Sequence, residues 1–375
     1  MTILADLLHQ QIASSGPISV SAYMRRCLMD PDHGYYTTSP VFGAEGDFIT
    51  APEISQLFGE MLAAFQAHIH QLFGAPEDCI LLEAGAGRGT LLHDMHRAYR
   101  QIAPTLYQAP CYLLEQSPAM QALQSQALAP KTPQFLHTCD DLPHKPLFAV
   151  ANEFFDALGV DQIIYHKGQW HDRLITSKQG QFQFHIGPAA QDLSSFTPLP
   201  AQPSEGDILE TSPDGRQMMA RLAKHIAHFG GALLIIDYGK TDNIGDSLQA
   251  VRHHKPTDIL SYQGEADITH WVDFGALARI ASENQARLIG PVAQGRFLTD
   301  LGIASRAEAL RKQDDPDGDR ALLAAIDRLV SPAQMGHAFK VSVLVPQGDG
   351  TPPGFTSLQK PSSDKRELNE RQNMR

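Results

Sequence analysis

Cysteine is scarce in this chain of 375 residues, and the four present, Cys27, Cys79, Cys111 and Cys139, lie far apart with no CxxC pair. That spacing argues against a disulfide framework and against a cysteine-based zinc site, and it suits a reducing compartment. Basic residues are outnumbered, 30 Lys and Arg against 42 Asp and Glu, for a formal net charge of -12. This sign opposes the phosphate contacts on which general nucleic-acid binding rests, so no nucleic-acid partner is expected. No apolar run approaches the length of a membrane span, and the N-terminus Met1-Thr2-Ile3-Leu4-Ala5-Asp6 lacks the basic stretch and apolar core of a leader. The expectation is a cytoplasmic protein without a membrane span. The histidine pairs His68/His70, His93/His96 and His253/His254 have no metal-ligand set around them, so no metal is expected either.

What remains is a globular composition, 42% hydrophobic, able to bury a large core. Ile3, Leu4, Leu7, Leu8 and Ile12 share one helical face until Gly16-Pro17 breaks it, and a second helix is expected from Ser19 to about Met29. A long loop over residues 33–52 follows, then an amphipathic helix from Glu53 to near Gly74. From there strand and helix patterns alternate. Strands are expected at 79–83, 111–115, 134–137, 148–152 and 232–237, with helices at 90–99, 118–128 and 215–229. Such alternation predicts a parallel sheet covered on both faces. Short alternating runs at 162–166, 170–176 and 182–186, separated by Lys167-Gly168 and Lys178-Gln179-Gly180, predict a β-rich insertion at about 160–205. A last half-buried strand is expected at 339–345, and a polar, disordered tail at 346–375.

The turn after the first core strand reads Glu83-Ala84-Gly85-Ala86-Gly87-Arg88-Gly89-Thr90. Its glycines allow a sharp turn and let a ligand approach the main chain. A dinucleotide fingerprint is GxGxxG; here the spacing is GxGxG, with Thr90 in the sixth place, and Glu83 precedes the turn. An acid there suits a cation better than a diphosphate. S-adenosylmethionine carries a sulfonium and an α-ammonium and no phosphate, so Glu83, Gly85, Gly87 and Gly89 are assigned to that cofactor; a purely structural glycine turn is the alternative. Glu115, ending the second strand, can take a ribose diol, a feature that fits a methyltransferase or a dehydrogenase equally. Asp140 and Asp141 stand where the adenine amino group needs an acceptor, and equally where a solvated acidic turn would stand. Asp141 is the one assigned.

The fourth strand runs into Asn152-Glu153-Phe154-Phe155-Asp156-Ala157-Leu158. Ligands of open α/β sheets bind outside the carboxyl ends of the strands, so this turn is the catalytic candidate. Asn152, Glu153 and Asp156 are assigned to catalysis, with Phe154 and Phe155 contributing an apolar wall for the acceptor. Carboxylates can orient a guanidinium nitrogen and accept its proton as a new C–N bond forms. Two core phenylalanines with helix-capping acids would be the bland alternative. Asp237 and Tyr238, at the end of the fifth strand, are expected to shape the acceptor pocket.

With these segments in place the chain resembles the MidA family of class I methyltransferases, whose mitochondrial members are complex I assembly factors that methylate an arginine on a partner subunit. The resemblance spans about residues 15 to 345 and rests on motifs in one order. They are Gly16-Pro17-Ile18, Asp32-His33-Gly34-Tyr35-Tyr36, Gly46-Asp47-Phe48-Ile49-Thr50-Ala51-Pro52-Glu53, the glycine turn and the Asn152 to Leu158 turn. Ile236-Asp237-Tyr238-Gly239, Gly245-Asp246-Ser247-Leu248-Gln249-Ala250, Val272-Asp273-Phe274, Gln294-Gly295-Arg296-Phe297-Leu298 and Phe339-Lys340-Val341 follow. The resemblance implies a class I Rossmann-like α/β fold, mostly parallel with an antiparallel last strand, behind an N-terminal helical cap over residues 1–78. It also implies that residues 43–53 fold over the cofactor, which adds Gly46, Asp47 and Thr50 to the cofactor site. Two positions depart from the family: Gly159 replaces a usual proline, and Trp271 stands where a histidine is common.

Protein arginine methylation with S-adenosylmethionine as donor is therefore the leading expectation, with an arginine-bearing protein as partner. A small-molecule methyltransferase and a non-catalytic assembly chaperone of the same fold are the alternatives, and an NAD-dependent dehydrogenase is the weakest rival.

Overall fold

The computed structural model describes residues 2–38, 50–311, 315–348, 350 and 352–355. Seven strands form the path of the main sheet: β1 (Ile80–Ala84), β2 (Cys111–Leu114), β3 (Gln134–Leu136), β4 (Leu147–Asn152), β5 (Gly231–Lys240), β6 (Ala286–Ala293) and β7 (Phe339–Pro346). Their spatial order is β6-β7-β5-β4-β1-β2-β3. β1 to β5 run parallel, and β7 is antiparallel to both β5 and β6. The central strands are apolar almost throughout because both faces are covered. Leu81, Phe148, Val150, Leu234 and Ile236 belong to one core, and their neighbours Ile80, Leu82, Leu147, Leu233 and Ile235 to the other, as the two-residue period of a strand demands.

Of the helices, α1 (Ile3–Ser15) and α2 (Val20–Met29) lie in the N-terminal region, and Ser19 caps α2 by accepting the Ala22 N–H. Helices α3 (Gln56–Leu72) and α4 (Thr90–Ile102) contribute Leu57, Phe58, Met61, Leu91 and Met95 to the first core. Helix α5 (Pro118–Ala127) follows β2. On the other face α6 (Pro213–Phe229) and α7 (Phe274–Glu283) contribute Met219, Leu222, Ile226, Leu277 and Ile280.

Four features differ from the sequence expectation or sharpen it. β6 carries no clean strand signal, because Gly290-Pro291 interrupts it and a register shift falls between Ile289 and Val292; proline is tolerated there because this strand is at the sheet edge. The helix expected from Glu53 starts at Gln56 instead, since Ala51–Ile54 forms a separate turn and Ser55 caps α3. Strands Asp161–His166, Gln169–Lys178 and Gln181–Ala189 form a second sheet with Ile208–Thr211, and Ile18–Ser19 joins its edge antiparallel, pairing Ile18 with Ile175. The turns between its hairpins place Lys167, Gly168, Gln179 and Gly180 at positive φ, the conformation that tight hairpins require. Finally, Phe355 is fully buried against Phe65 and Phe297, so packed structure extends past Pro346, where a disordered tail was expected to begin. Burial of a side chain of that size contributes about 1.5–3 kcal/mol. Residues 356–375 of that tail lie outside the described residues.

Candidate active site

The chain builds β1, β2 and β3 outward to one side and then returns to place β4 on the other side of β1. The crevice beyond the carboxyl ends of β1 and β4 is thus the switch point at which α/β sheets bind ligands. A cleft of about 390 Å³ opens there.

Gly85, Gly87 and Gly89 all have left-handed φ, +72°, +51° and +85°. At Gly85 a Cβ would come within 2.8 Å of the Phe154 ring, so the missing side chain lets Phe154 lie against the turn. Gly85 and Gly87 line the cleft, whereas Gly89 is the N-cap of α4 and is not among the lining residues. Glu83 is almost wholly buried beneath the turn, with one oxygen, Oε2, left without a hydrogen-bond partner. Burial pushes its carboxyl up to about 8, offset in part by a main-chain hydrogen bond from Leu92. Glu115 accepts the Ser117 N–H at 2.8 Å and the Gln124 amide at 3.0 Å. Gln124 also donates to the Gly87 carbonyl at 2.7 Å, which ties the glycine turn to the end of β2. Sequence reading passed over Gln124, a glutamine in a helix that looks no different from its exposed neighbours.

Thr50, Pro52 and Glu53 form the opposite lip of the cleft. Glu53 accepts the Thr90 hydroxyl at 2.6 Å, which fastens this lip to α4. The assigned residues Gly46 and Asp47 lie outside the described residues. On the adenine side, Asp141 is exposed at the end of a 3-10 turn and does not line the cleft; His137, Thr138 and Arg221 do. Arg221 pairs with Asp140 at 3.3 Å, and neither Asp140 nor Asp141 is among the residues that line the cleft.

At the end of β4, Asn152, Glu153 and Phe154 line the cleft. Glu153 has φ +51°, a conformation that costs a non-glycine residue about 1–2 kcal/mol. Its Oε1 accepts the Asn152 amide at 3.3 Å and the Ala51 N–H at 3.4 Å. Burial, then the nearby Asp156 carboxylate, pushes its carboxyl up to about 8. The next residues turn inward. Phe155 is buried in the core and Asp156 is buried behind the turn, so neither lines the cleft as the sequence suggested. The Tyr238 hydroxyl donates to Asp156; burial raises the Asp156 carboxyl to about 6, with that hydrogen bond and His270 opposing.

Asp237 corrects another assignment. It is completely buried, and it accepts the main-chain N–H groups of Phe154, Phe155 and Asp156 on Oδ2 and of Tyr238 on Oδ1, at 3.0–3.3 Å. It anchors the catalytic turn from below instead of touching an acceptor, and Tyr238 likewise faces Asp156 and Thr269. His270 adds a clamp that the sequence did not signal: its N–H donates to the Asp156 carbonyl, and its Nε2 lies 2.9 Å from the Leu158 carbonyl. The neighbouring Trp271 is 45% exposed and takes no part in the cleft. Gly159 has its own reason, since a Cβ there would meet the Ser21 carbonyl at 2.8 Å; its absence lets α2 approach the turn.

A family model described as "Putative S-adenosyl-L-methionine-dependent methyltransferase" matches residues 61–292. Among curated proteins, the chain is 33% identical to "Protein arginine methyltransferase NDUFAF7, mitochondrial" of Xenopus tropicalis, covering 90% of this chain and 84% of the relative. The human protein of the same name is 31% identical, with 90% and 82% covered. The chain belongs to the MidA family of S-adenosylmethionine-dependent methyltransferases. A solved structure similar to this MidA-family chain is a COG1565 superfamily member from Burkholderia thailandensis bound to S-adenosyl-homocysteine, at 28% identity, a TM-score of 0.83 and 96% of each chain.

The cofactor is S-adenosylmethionine. The residues present fit it: the unpaired buried oxygen of Glu83 suits an α-ammonium, and the fixed Glu115 carboxylate suits a ribose diol. The expectation of a cytoplasmic protein is corrected by the MidA-family relatives, which are named as mitochondrial. No helix among the described residues is long and apolar enough to cross a membrane.

Proposed function

We propose that this methyltransferase methylates an arginine side chain of a partner protein. The observation that carries the reading is Glu153: an acid in the lining of the cleft, held at left-handed φ and oriented by the Asn152 amide and the Ala51 N–H. Bound S-adenosylmethionine supplies a methyl group on a sulfonium, open to attack by a nitrogen nucleophile. Glu153 pairs with the acceptor guanidinium and directs one nitrogen towards that methyl. As the C–N bond forms, the methyl–sulfur bond breaks with its electron pair left on sulfur, the nitrogen loses a proton, and Glu153, ionised once the guanidinium is beside it, accepts that proton. Asn152 orients the Glu153 carboxylate. Asp156 and Asp237 are positioning residues, the first through Tyr238 and the second through the main chain of the turn. In this reading residues 1–78 cap the site, 79–345 form the catalytic core, and Phe154 supplies an apolar wall for the acceptor stem. The names of the curated relatives support an arginine acceptor on a protein, and the family resemblance supports a respiratory-complex subunit as that protein.

The test is transfer of labelled methyl from S-adenosylmethionine into lysate proteins, followed by acid hydrolysis and amino-acid analysis. Label in methylarginine is expected. Glu153→Gln should lower the rate by about 10²–10⁴ while S-adenosyl-homocysteine affinity changes little. Label in a small molecule, or an unaltered rate in the variant, would overturn the reading.

A further inference from the structure

Arg25 of α2 and Asp214 in the first turn of α6 both line the cleft, and they meet across it. The contact is bidentate: Arg25 Nε lies 3.1 Å from Asp214 Oδ2, and Arg25 Nη2 lies 2.9 and 2.7 Å from Oδ1 and Oδ2. This end of the cleft adjoins the catalytic turn. Ser212, two residues before Asp214, donates to the carbonyls of Leu158 and Gly159, and Ser21, one helical turn before Arg25, packs on Gly159. The Arg25 and Asp214 side chains are 54% and 34% exposed, so solvent reaches both partners. An ion pair this exposed contributes little to stability, and opening it costs correspondingly little.

We propose that Asp214 is a binding site for a basic side chain of the methyl acceptor, and that Arg25 occupies this site until the acceptor displaces it. The proposal rests on the reading of the acceptor as an arginine-bearing protein. The geometry already demonstrates the chemistry required, because a guanidinium reaches both oxygens of Asp214 within the cleft. An acceptor guanidinium can make the same two-pronged contact, and a planar fork is the donor that a carboxylate matches best. Exchange of one guanidinium for another ends with the carboxylate paired again, and because both side chains are partly exposed, water solvates whichever group is unpaired on the way. The chain's net charge of -12 favours approach of a basic segment to the protein as a whole. Asp214 therefore selects acceptors with a basic residue close to the methylated arginine, in addition to the pairing at Glu153.

The full-length protein, saturated with S-adenosyl-homocysteine, is titrated with a fluorescent peptide of sequence Gly-Arg-Gly-Arg-Gly, and with the same peptide carrying citrulline in place of arginine. An internal competitor that is closed a few times more often than open weakens the apparent affinity by the same factor. Arg25→Ala is expected to bind the arginine peptide about two- to sixfold tighter, Asp214→Asn at least about fivefold weaker, and the double variant like Asp214→Asn. Citrulline peptide affinity should not respond to either change. Equal arginine-peptide affinity in wild type and Arg25→Ala would overturn the proposal, as would absence of binding by every variant. Labelled methyl recovered as methylarginine with peptide affinity unchanged by Arg25→Ala would sink this proposal and leave the proposed function standing. Tighter peptide binding by Arg25→Ala with no methylarginine formed by wild type would sink the proposed function, and would leave Asp214 as a guarded site for a basic side chain that is not on a methylated arginine protein.

Discussion

Glu83 and Glu153 are the two cleft carboxylates that burial holds near 8. They differ in what surrounds them. Glu153 accepts two hydrogen bonds on one oxygen, whereas Glu83 keeps Oε2 buried and unpaired. For Glu83 the folded protein holds a proton that the unfolded chain releases near its ordinary value of 4.5, so stability falls as pH rises from there to about 8. A ligand ammonium beside Oε2 reverses that penalty by favouring the ionised form. Proton release should therefore accompany cofactor binding, and affinity should rise with pH up to about 8 by at most tenfold per unit. Calorimetry of S-adenosyl-homocysteine binding in buffers of differing ionisation enthalpy measures the protons released. Glu83→Gln should abolish the release and flatten the pH dependence; an equal release from the variant would show that another group titrates. The residue types needed for this chemistry were legible in the sequence, because an acid before GxGxG and acids after the fourth strand are visible as letters. Which of them face the cleft was not. A turn has no fixed side-chain period, so nothing in Asn152 to Asp156 distinguishes Glu153, which lines the cleft, from Asp156, which lies behind it.

At the scale of elements, strand runs and helix faces follow from periodicity, and the order of β1 to β5 along the chain was readable for that reason. Two of the missed elements have a weak or nonlocal signal: β6 with its Gly290-Pro291 interruption, and Ile18–Ser19, two residues that become a strand only because Gln169–Lys178 offers an edge; α7 and the helix Pro316–Val330, each with an aspartate N-cap, carried a local signal that sequence reading passed over. The same nonlocality explains Gln124. Helix α5 is amphipathic in pattern, yet its completely buried glutamine joins two ligand-facing elements by one amide, donating to Gly87 and to Glu115. Gln124→Leu preserves volume while removing both bonds and leaving the Glu115 oxygen and the Gly87 carbonyl short of a donor. A loss of about 1–3 kcal/mol in stability is expected. In kinetics the variant should show a KM for S-adenosylmethionine raised about tenfold with kcat nearly unchanged, because it loosens the cofactor wall and leaves the Glu153 turn alone. A fall in kcat at unaltered KM would place Gln124 with the chemistry instead.

On the scale of the whole molecule, the cleft is a joint product of parts far apart in sequence. The core supplies Glu83, Glu115 and Glu153, and the N-terminal region supplies Arg25, Tyr36 and the Thr50 to Glu53 lip. What holds residues 3–29 in place is a core of their own, in which Leu4, Leu8, Ile12, Ile18 and Met24 pack with Val160, Ile175 and Ile268, whereas Ala51 and α3 pack into the first core of the main sheet. The strand pair Ile18–Ile175 and the Ser21 N–H to Asp161 bond stitch this core to the second sheet. The main sheet has two hydrophobic cores that share no residue with this one. Replacing Ile18 by aspartate puts an unpaired charge at a buried position and costs the N-terminal region several kcal/mol. Hydrogen exchange should then accelerate in residues 3–29 and 161–189 while β4 and β5 keep their protection, as expected of parts that open separately. Methyl transfer should fall further than S-adenosyl-homocysteine affinity, because the Glu83 and Glu115 wall survives while Arg25 and Tyr36 lose their fixed places in the cleft lining. Uniform loss of protection across both regions would mean that the cap and the core fold as one unit, and the cap would then be part of the fold's stability as well as a wall of its site.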